Sequence, residues 1–299
     1  MPAQCPLVTI LVNNYNYARF LKCAIDSALS QTYLNIEIVV VDDGSSDESR
    51  EVIGSYGNQI KAVFKENGGQ ASAFNTGIRA SRGDTICLLD SDDYFSPEKV
   101  ERLLPHLKKG RLVYHRLRTD PGDSILPQSI STNGNFYAYA KKYRFLPFLG
   151  SPTSGIAIDR ELAQRLLPLP TEHVRSSADD FLVRGAALVG EVYGIEEILA
   201  TYRIHGSNAW YGTDLLKPPE FMEALEQYLN RKLLENDKEG AIDFYRSMYA
   251  RSYIPQTRAA LSSLAMAVFM HHRDLTTTRF LLRTLWKAYG QITSKAKLE

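Results

Sequence analysis

Between residues 7 and 117 short β-branched runs alternate with stretches of helical period, and this alternation constrains the fold more than any other feature of the chain. Strands are predicted at 7–12, 36–41, 60–64, 85–89 and 112–115, separated by helices, as parallel strands with crossover helices require. The first helix carries Phe20, Leu21, Ala24, Ile25, Ala28 and Leu29 in one stripe. Ser45-Ser46-Asp47-Glu48 has the spacing of a capping box, Gly68-Gly69 precedes a helix predicted over 70–81, and Ser96-Pro97 offers a cap and a first-turn proline. Periodicity fails over 118–150, which reads as irregular. A strand at 155–158, helices at 159–167 and 179–189 and a strand at 198–204 complete an α/β unit over 1–212 with a mostly parallel central sheet. Past Pro218-Pro219 four helical patterns, near 219–235, 238–251, 256–271 and 275–290, predict an all-helical region over 213–299.

Composition narrows the function. Lys+Arg 35 against Asp+Glu 34 leaves a net charge of +1, too even for the counterion-releasing face of a general nucleic-acid binder. Cys5, Cys23 and Cys87 are odd in number and far apart, which fits neither a disulfide framework nor a zinc site and suggests a reducing cytoplasm. The opening residues lack a basic-then-apolar leader, and no apolar run reaches the ~18 residues of a spanning helix, so a soluble protein is expected.

In open α/β sheets ligands bind beyond the carboxyl ends of the strands. Here those ends carry Asn13-Asn14-Tyr15-Asn16, Asp42-Asp43-Gly44-Ser45 and Asp90-Ser91-Asp92-Asp93. Asp42 and Asp43 read either as a helix cap with dipole compensation or as ligand contacts. Three carboxylates within four residues repel one another unless a hard divalent cation, Mn2+ or Mg2+, is held by one or two of them and leaves positions for phosphate. The glycines form neither a Walker loop nor Gly-x-Gly-x-x-Gly, so metal rather than backbone amides would neutralise a nucleotide's phosphates. Tyr15 could stack on a base, and Asp43 could accept from a ring N–H or a ribose hydroxyl.

These motifs, with Asn67-Gly68-Gly69 and Asn75-x-Gly77, resemble the family 2 glycosyltransferases of GT-A fold, densely over residues 7 to about 107. Ser177-Ala178-Asp179-Asp180-Phe181-Leu182 resembles the family's acidic pair, and Tyr202-Arg203-x-His205 resembles a downstream motif. The resemblance implies Asn13, Tyr15, Asp43, Asp90 and Ser91 around the nucleotide sugar, and Asp92, Asp90 and His205 at the metal. It implies Asp180 as the general base, with Asp93, Thr153, Ser154 and Asp179 on the acceptor side. Most members have Glu where this chain has Asp179. The Gln-x-x-Arg-Trp motif of processive synthases is absent, so transfer of one or a few sugars to a glycan, lipid-linked or small hydroxyl acceptor is implied. UDP is the nucleotide implied by the base contacts.

Two other readings remain open at this level. A haloacid-type phosphatase also places Asp-x-Asp after a strand, but after its first strand and with threonine where Tyr94 stands. A non-catalytic nucleotide-sugar binder or scaffold would tolerate loss of the base. Gln70, Asn75 and Arg79 read as structural. Residues 271–299 hold Arg273, Arg279, Arg283, Lys287, Lys295 and Lys297 against Asp274 and Glu299, a basic amphipathic stretch that either packs on the core or meets anionic lipid at the inner membrane face.

Overall fold

The computed structural model describes residues 5–108, 111–130, 133–144, 146, 150–208 and 217–243. In chain order the elements are β1 (Val8–Asn14), α1 (Ala18–Leu29), β2 (Ile36–Asp42), α2 (Ser49–Gly54), β3 (Lys61–Phe64), α3 (Gln70–Ala80), β4 (Thr85–Asp90), β5 (Tyr94–Phe95), α4 (Lys99–Leu103), β6 (Leu112–Asp120), β7 (Ile125–Leu126), α5 (Tyr137–Tyr143), β8 (Ile156–Asp159), α6 (Arg160–Leu166), α7 (Asp179–Val189), β9 (Val192–Arg203) and α8 (Pro219–Leu234). One mixed sheet runs β3-β2-β1-β4-β8-β6-β9-β5, with β7 paired to β6. Its first four strands are parallel, β8 is antiparallel to both β4 and β6, and β6 and β9 are parallel.

Strict alternation along the buried strands divides the core between the two faces. Val8, Ile10 and Val12 pack with Leu21, Ile25 and Val100 from α1 and α4, whereas Leu11, Val41 and Leu88 pack with Phe74, Leu162, Phe181 and Leu229 from α3, α6, α7 and α8. Each such side chain, fully buried, contributes about 1.5–3 kcal/mol. Gly77 allows α3 to lie close on β1, because a Cβ there would stand 2.3 Å from Leu11 Cδ1.

Several local expectations are corrected. The capping box does not form: α2 begins at Ser49, and Ser45 instead turns back to donate its hydroxyl to Asp42 Oδ1 at 2.5 Å. Likewise α4 begins at Lys99, and Ser96 offers its carbonyl, not its hydroxyl, to the Lys99 N–H. The irregular stretch holds β7 and α5, and β6 and β9 run well beyond their predicted lengths. Of the C-terminal helices, α8 spans Pro219–Leu234; residues 238–243, where the second was predicted to begin, are not helical, and the rest of that helix, the last two and the boundary at 212 lie outside the described residues.

Candidate active site

Strand register brings the three polar ends together. Asn13 sits opposite Asp90 and Asn14 opposite Asp42. Each asparagine donates its side-chain amide to the facing carboxylate, Asn13 Nδ2 to Asp90 Oδ1 at 2.7 Å and Asn14 Nδ2 to Asp42 Oδ1 at 2.9 Å. A neutral NH2 satisfies an acceptor-only carboxylate without cancelling its charge. Asp42 also accepts from the Ser45 backbone N–H and thereby closes its own turn. Asp43 accepts from the Gly68 and Gly69 N–H groups, at 3.0 and 2.7 Å, and pairs with Lys65. Its carboxylate thus anchors the glycine turn while lining the cavity. Gly69 has φ +83, and a Cβ there would stand 2.9 Å from Arg175 Cα, so only glycine suits this close approach.

Asp90, Asp92 and Asp93 each place a carboxylate oxygen within 4.8 Å of the others. Burial and then the charges of Asp92 and Asp93 hold the Asp90 carboxyl well above the usual carboxylate range. His205 Nε2 lies 3.0 Å from Asp92 Oδ2, and its ring is held by Phe20 and Tyr17 at centroid distances of 4.5 and 5.4 Å.

Across from this turn stands the start of α7. Ser177 adopts φ +59, an uncommon conformation for serine, which delivers Asp179 and Asp180 into the same space. Asp180 Oδ1 accepts from Arg184 Nε at 3.2 Å. Burial, and then the adjacent Asp180, push the Asp179 carboxyl up to about 7, with Lys217 opposing. Gln70 ties the two sides together: its Oε1 accepts from the Ala178 N–H at 2.9 Å while its Nε2 donates to Asp90 Oδ1 at 3.3 Å.

A cavity of about 700 Å³ gathers Asn13, Tyr15, Asp43, Asp90, Asp92, Thr153, Asp179 and Asp180 from the expected set. His205 backs Asp92. Ser91, Asp93 and Ser154 are corrections in placement: all three are buried behind the cavity wall, because Asp93 accepts from the Ser154 hydroxyl and the Arg203 N–H rather than facing inward. Tyr17, Gln70, Arg175 and Lys217 line the cavity without having been singled out as ligand contacts. Their positions depend on chain crossings that no local pattern encodes.

The donor set fits a hard divalent cation. Asp92, His205 and the second oxygen of Asp90 would hold it, and carboxylate oxygens with one imidazole suit Mn2+ or Mg2+. With both oxygens of Asp93 engaged by internal donors, that residue supports the set without entering it.

Residues 9–167 match the family described as Glycosyl transferase family 2. The chain belongs to this family. It is 33% identical over 261 residues to an uncharacterized glycosyltransferase of Nostoc sp., covering 82% of this chain and 81% of that protein. Among solved structures, S. aureus TarS 1-349 in complex with UDP-GlcNAc superposes with a TM-score of 0.65 at 13% identity, covering 98% of this chain and 92% of that one. The mannosyltransferase PcManGT from Pyrobaculum calidifontis, in complex with GDP-Man and Mn2+, has a TM-score of 0.52 at 20% identity and covers 98% and 88%. The curled mixed sheet with flanking helices is the GT-A fold, the enzyme is a glycosyltransferase, and the phosphatase reading falls. Among the described residues no helix is long and apolar enough to cross a membrane.

Proposed function

We propose that this glycosyltransferase moves a sugar from a nucleoside diphosphate sugar, UDP-linked, to a hydroxyl acceptor with inversion at the anomeric carbon and with Mn2+ or Mg2+ bound. The observation that carries this reading is the single cavity holding Asp90 and Asp92 on its strand side and Asp179 and Asp180 on its helix side. A direct displacement needs negative charge neutralised where the diphosphate leaves and a base where the acceptor hydroxyl enters, and the two carboxylate groups are assigned these tasks in turn. The cation, when bound, offsets the charge growing on the departing diphosphate. Asp180 receives the acceptor proton as the new glycosidic bond forms, and Arg184 orients its carboxylate. Tyr15, 48% exposed, offers its ring to the base beside Asn13 and Asp43. The nucleotides and the Mn2+ named for TarS and PcManGT support a nucleotide-sugar donor and a divalent cation here.

The acceptor class is a glycan, lipid-linked or small-molecule hydroxyl, in the building of cell-surface glycans or glycolipids. Residues 1–212 are assigned to the catalytic unit, and α8 of the region that follows docks on it. The enzyme works on the cytoplasmic side, with the basic C-terminal stretch meeting the inner membrane face.

Calorimetric titration with UDP tests the donor side. Binding is expected to tighten in Mn2+ relative to chelator, and Asp92→Asn to erase that difference while retaining the weaker, metal-free affinity. Equal affinity in both conditions removes the metal from the scheme, and no UDP binding in either removes the nucleotide.

A further inference from the structure

We infer that Ser154 and Lys99 are positioning residues that hold from behind the β4 turn that carries the metal-binding carboxylates, an inference that rests on reading Asp90 and Asp92 as ligands to a cation. Three like charges within 4.8 Å of one another spread apart unless donors fix each of them. Ser154 reaches both ends of the motif. Its hydroxyl donates to Asp93 Oδ2 at 2.6 Å and accepts from the Asp90 backbone N–H at 3.1 Å. A hydroxyl has one proton to give and lone pairs to receive, so this one side chain fixes the direction of both bonds. Ser154 is itself held, since its carbonyl accepts from Lys99 Nζ at 2.8 Å.

Lys99 is 0% exposed, and its ammonium stands 3.2 Å from the centroid of the Phe95 ring. Phe95 pairs with Ala200 on β9, and three residues further along β9 the Arg203 N–H donates to Asp93 Oδ1 at 2.9 Å. The contacts therefore form a closed circuit from β4 through Ser154, Lys99 and Phe95 to β9 and back to Asp93. A buried ammonium is disfavoured unless negative charge answers it. Here the carbonyl of Ser154 and the negative face of the Phe95 ring answer it. Lys99 thereby pins the Ser154 backbone, and the Ser154 hydroxyl carries that constraint to Asp93 and to the Asp90 backbone. Neither residue lines the cavity, so both act through Asp93 and the Asp90 backbone and not on substrate.

Mn2+ titration followed by electron paramagnetic resonance, on the full chain with saturating UDP, tests this without turnover. Ser154→Ala and Lys99→Met are expected to raise the Mn2+ dissociation constant by about 10- to 100-fold, the usual effect of losing a partner that orients a metal ligand. Their circular dichroism should match the wild type, and Ser154→Thr, which keeps the hydroxyl, should restore affinity. Wild-type Mn2+ affinity in both the Ala and Met variants overturns the inference. So does failure of both to fold, which would make the pair a stability element instead. A wild-type protein that takes up no Mn2+ is a different result: it removes the metal reading itself, and the positioning role with it.

Discussion

Asp179 and Asp180 are neighbours in sequence and differ in surroundings. Asp179 is half-buried in the cavity wall, and its desolvation there, reinforced by Asp180, raises its carboxyl to about 7. A carboxyl raised that far is only partly ionised at neutral pH, so only part of the enzyme population would offer Asp179 as a base. Asp180 lies beside the Arg184 guanidinium, which aims its carboxylate across the cavity. Asp180→Asn is therefore expected to lower kcat by about 10²- to 10⁴-fold, the usual worth of general acid-base catalysis, with donor KM little changed. Asp179→Asn, which removes a carboxyl that is only partly ionised at neutral pH, should cost less. Single-turnover rates of the two variants decide between them, and a larger loss from Asp179→Asn would move the base by one position. Proton NMR of the first product adds the stereochemical test, since an α-linked donor must give a β-linked product if the displacement is direct.

At the level of elements, what could be read in advance and what could not follow from the range of the forces involved. β1, β2 and β4 were legible because a β-branched run buried on both faces is local information, and their polar ends were legible because the acidic residues directly follow the runs. The capping box failed because Asp42 competes for Ser45 from three residues upstream, a contact the four-residue pattern does not contain. Nothing in the local pattern after Ser96-Pro97 singles out Lys99, and it is buried through its contacts with the Ser154 carbonyl, distant in sequence, and with the Phe95 ring. Lys232 teaches the same lesson on α8. Its ammonium is 2% exposed and donates at 2.9 Å to the carbonyls of Arg165 and Leu167, at the end of α6, and at 2.7 Å to Glu235. Those carbonyls have no helical partner of their own, and a cation there also meets the negative end of the helix dipole. Lys232→Met should fill the space and leave the carbonyls unpaired, at a cost of about 1–3 kcal/mol. Urea denaturation measures it, and an unchanged midpoint and slope would show that water replaces the ammonium without loss.

For the whole molecule the question is where the enzyme ends. The change of periodicity after Pro218-Pro219 suggests a separate helical region, and the first helix of that region is deeply integrated. Phe221, Met222, Leu225, Tyr228, Leu229 and Leu233 on α8 are all buried, in one cluster with Leu162 and Leu166 of α6 and Phe181 and Leu182 of α7. The Phe181 ring meets both Phe221 and Tyr228 edge-on at 5.3 Å, and the Tyr228 hydroxyl donates to the Leu166 carbonyl at 2.8 Å. At roughly 1.5–3 kcal/mol per fully buried apolar side chain, this face alone contributes about as much as the ~5–15 kcal/mol net stability of a typical domain. α8 also bears on the site, because it covers α7, the helix that carries Asp179 and Asp180, and because Lys217 just before it reaches Ser177 and the cavity. A chain ended at residue 208 should therefore expose a continuous apolar face and aggregate. Size-exclusion chromatography and thermal unfolding of that fragment supply the check. A monomer with the melting temperature of the full chain would mean that α6 and α7 form a complete layer by themselves and that α8 is an appendage in energy as well as in sequence pattern.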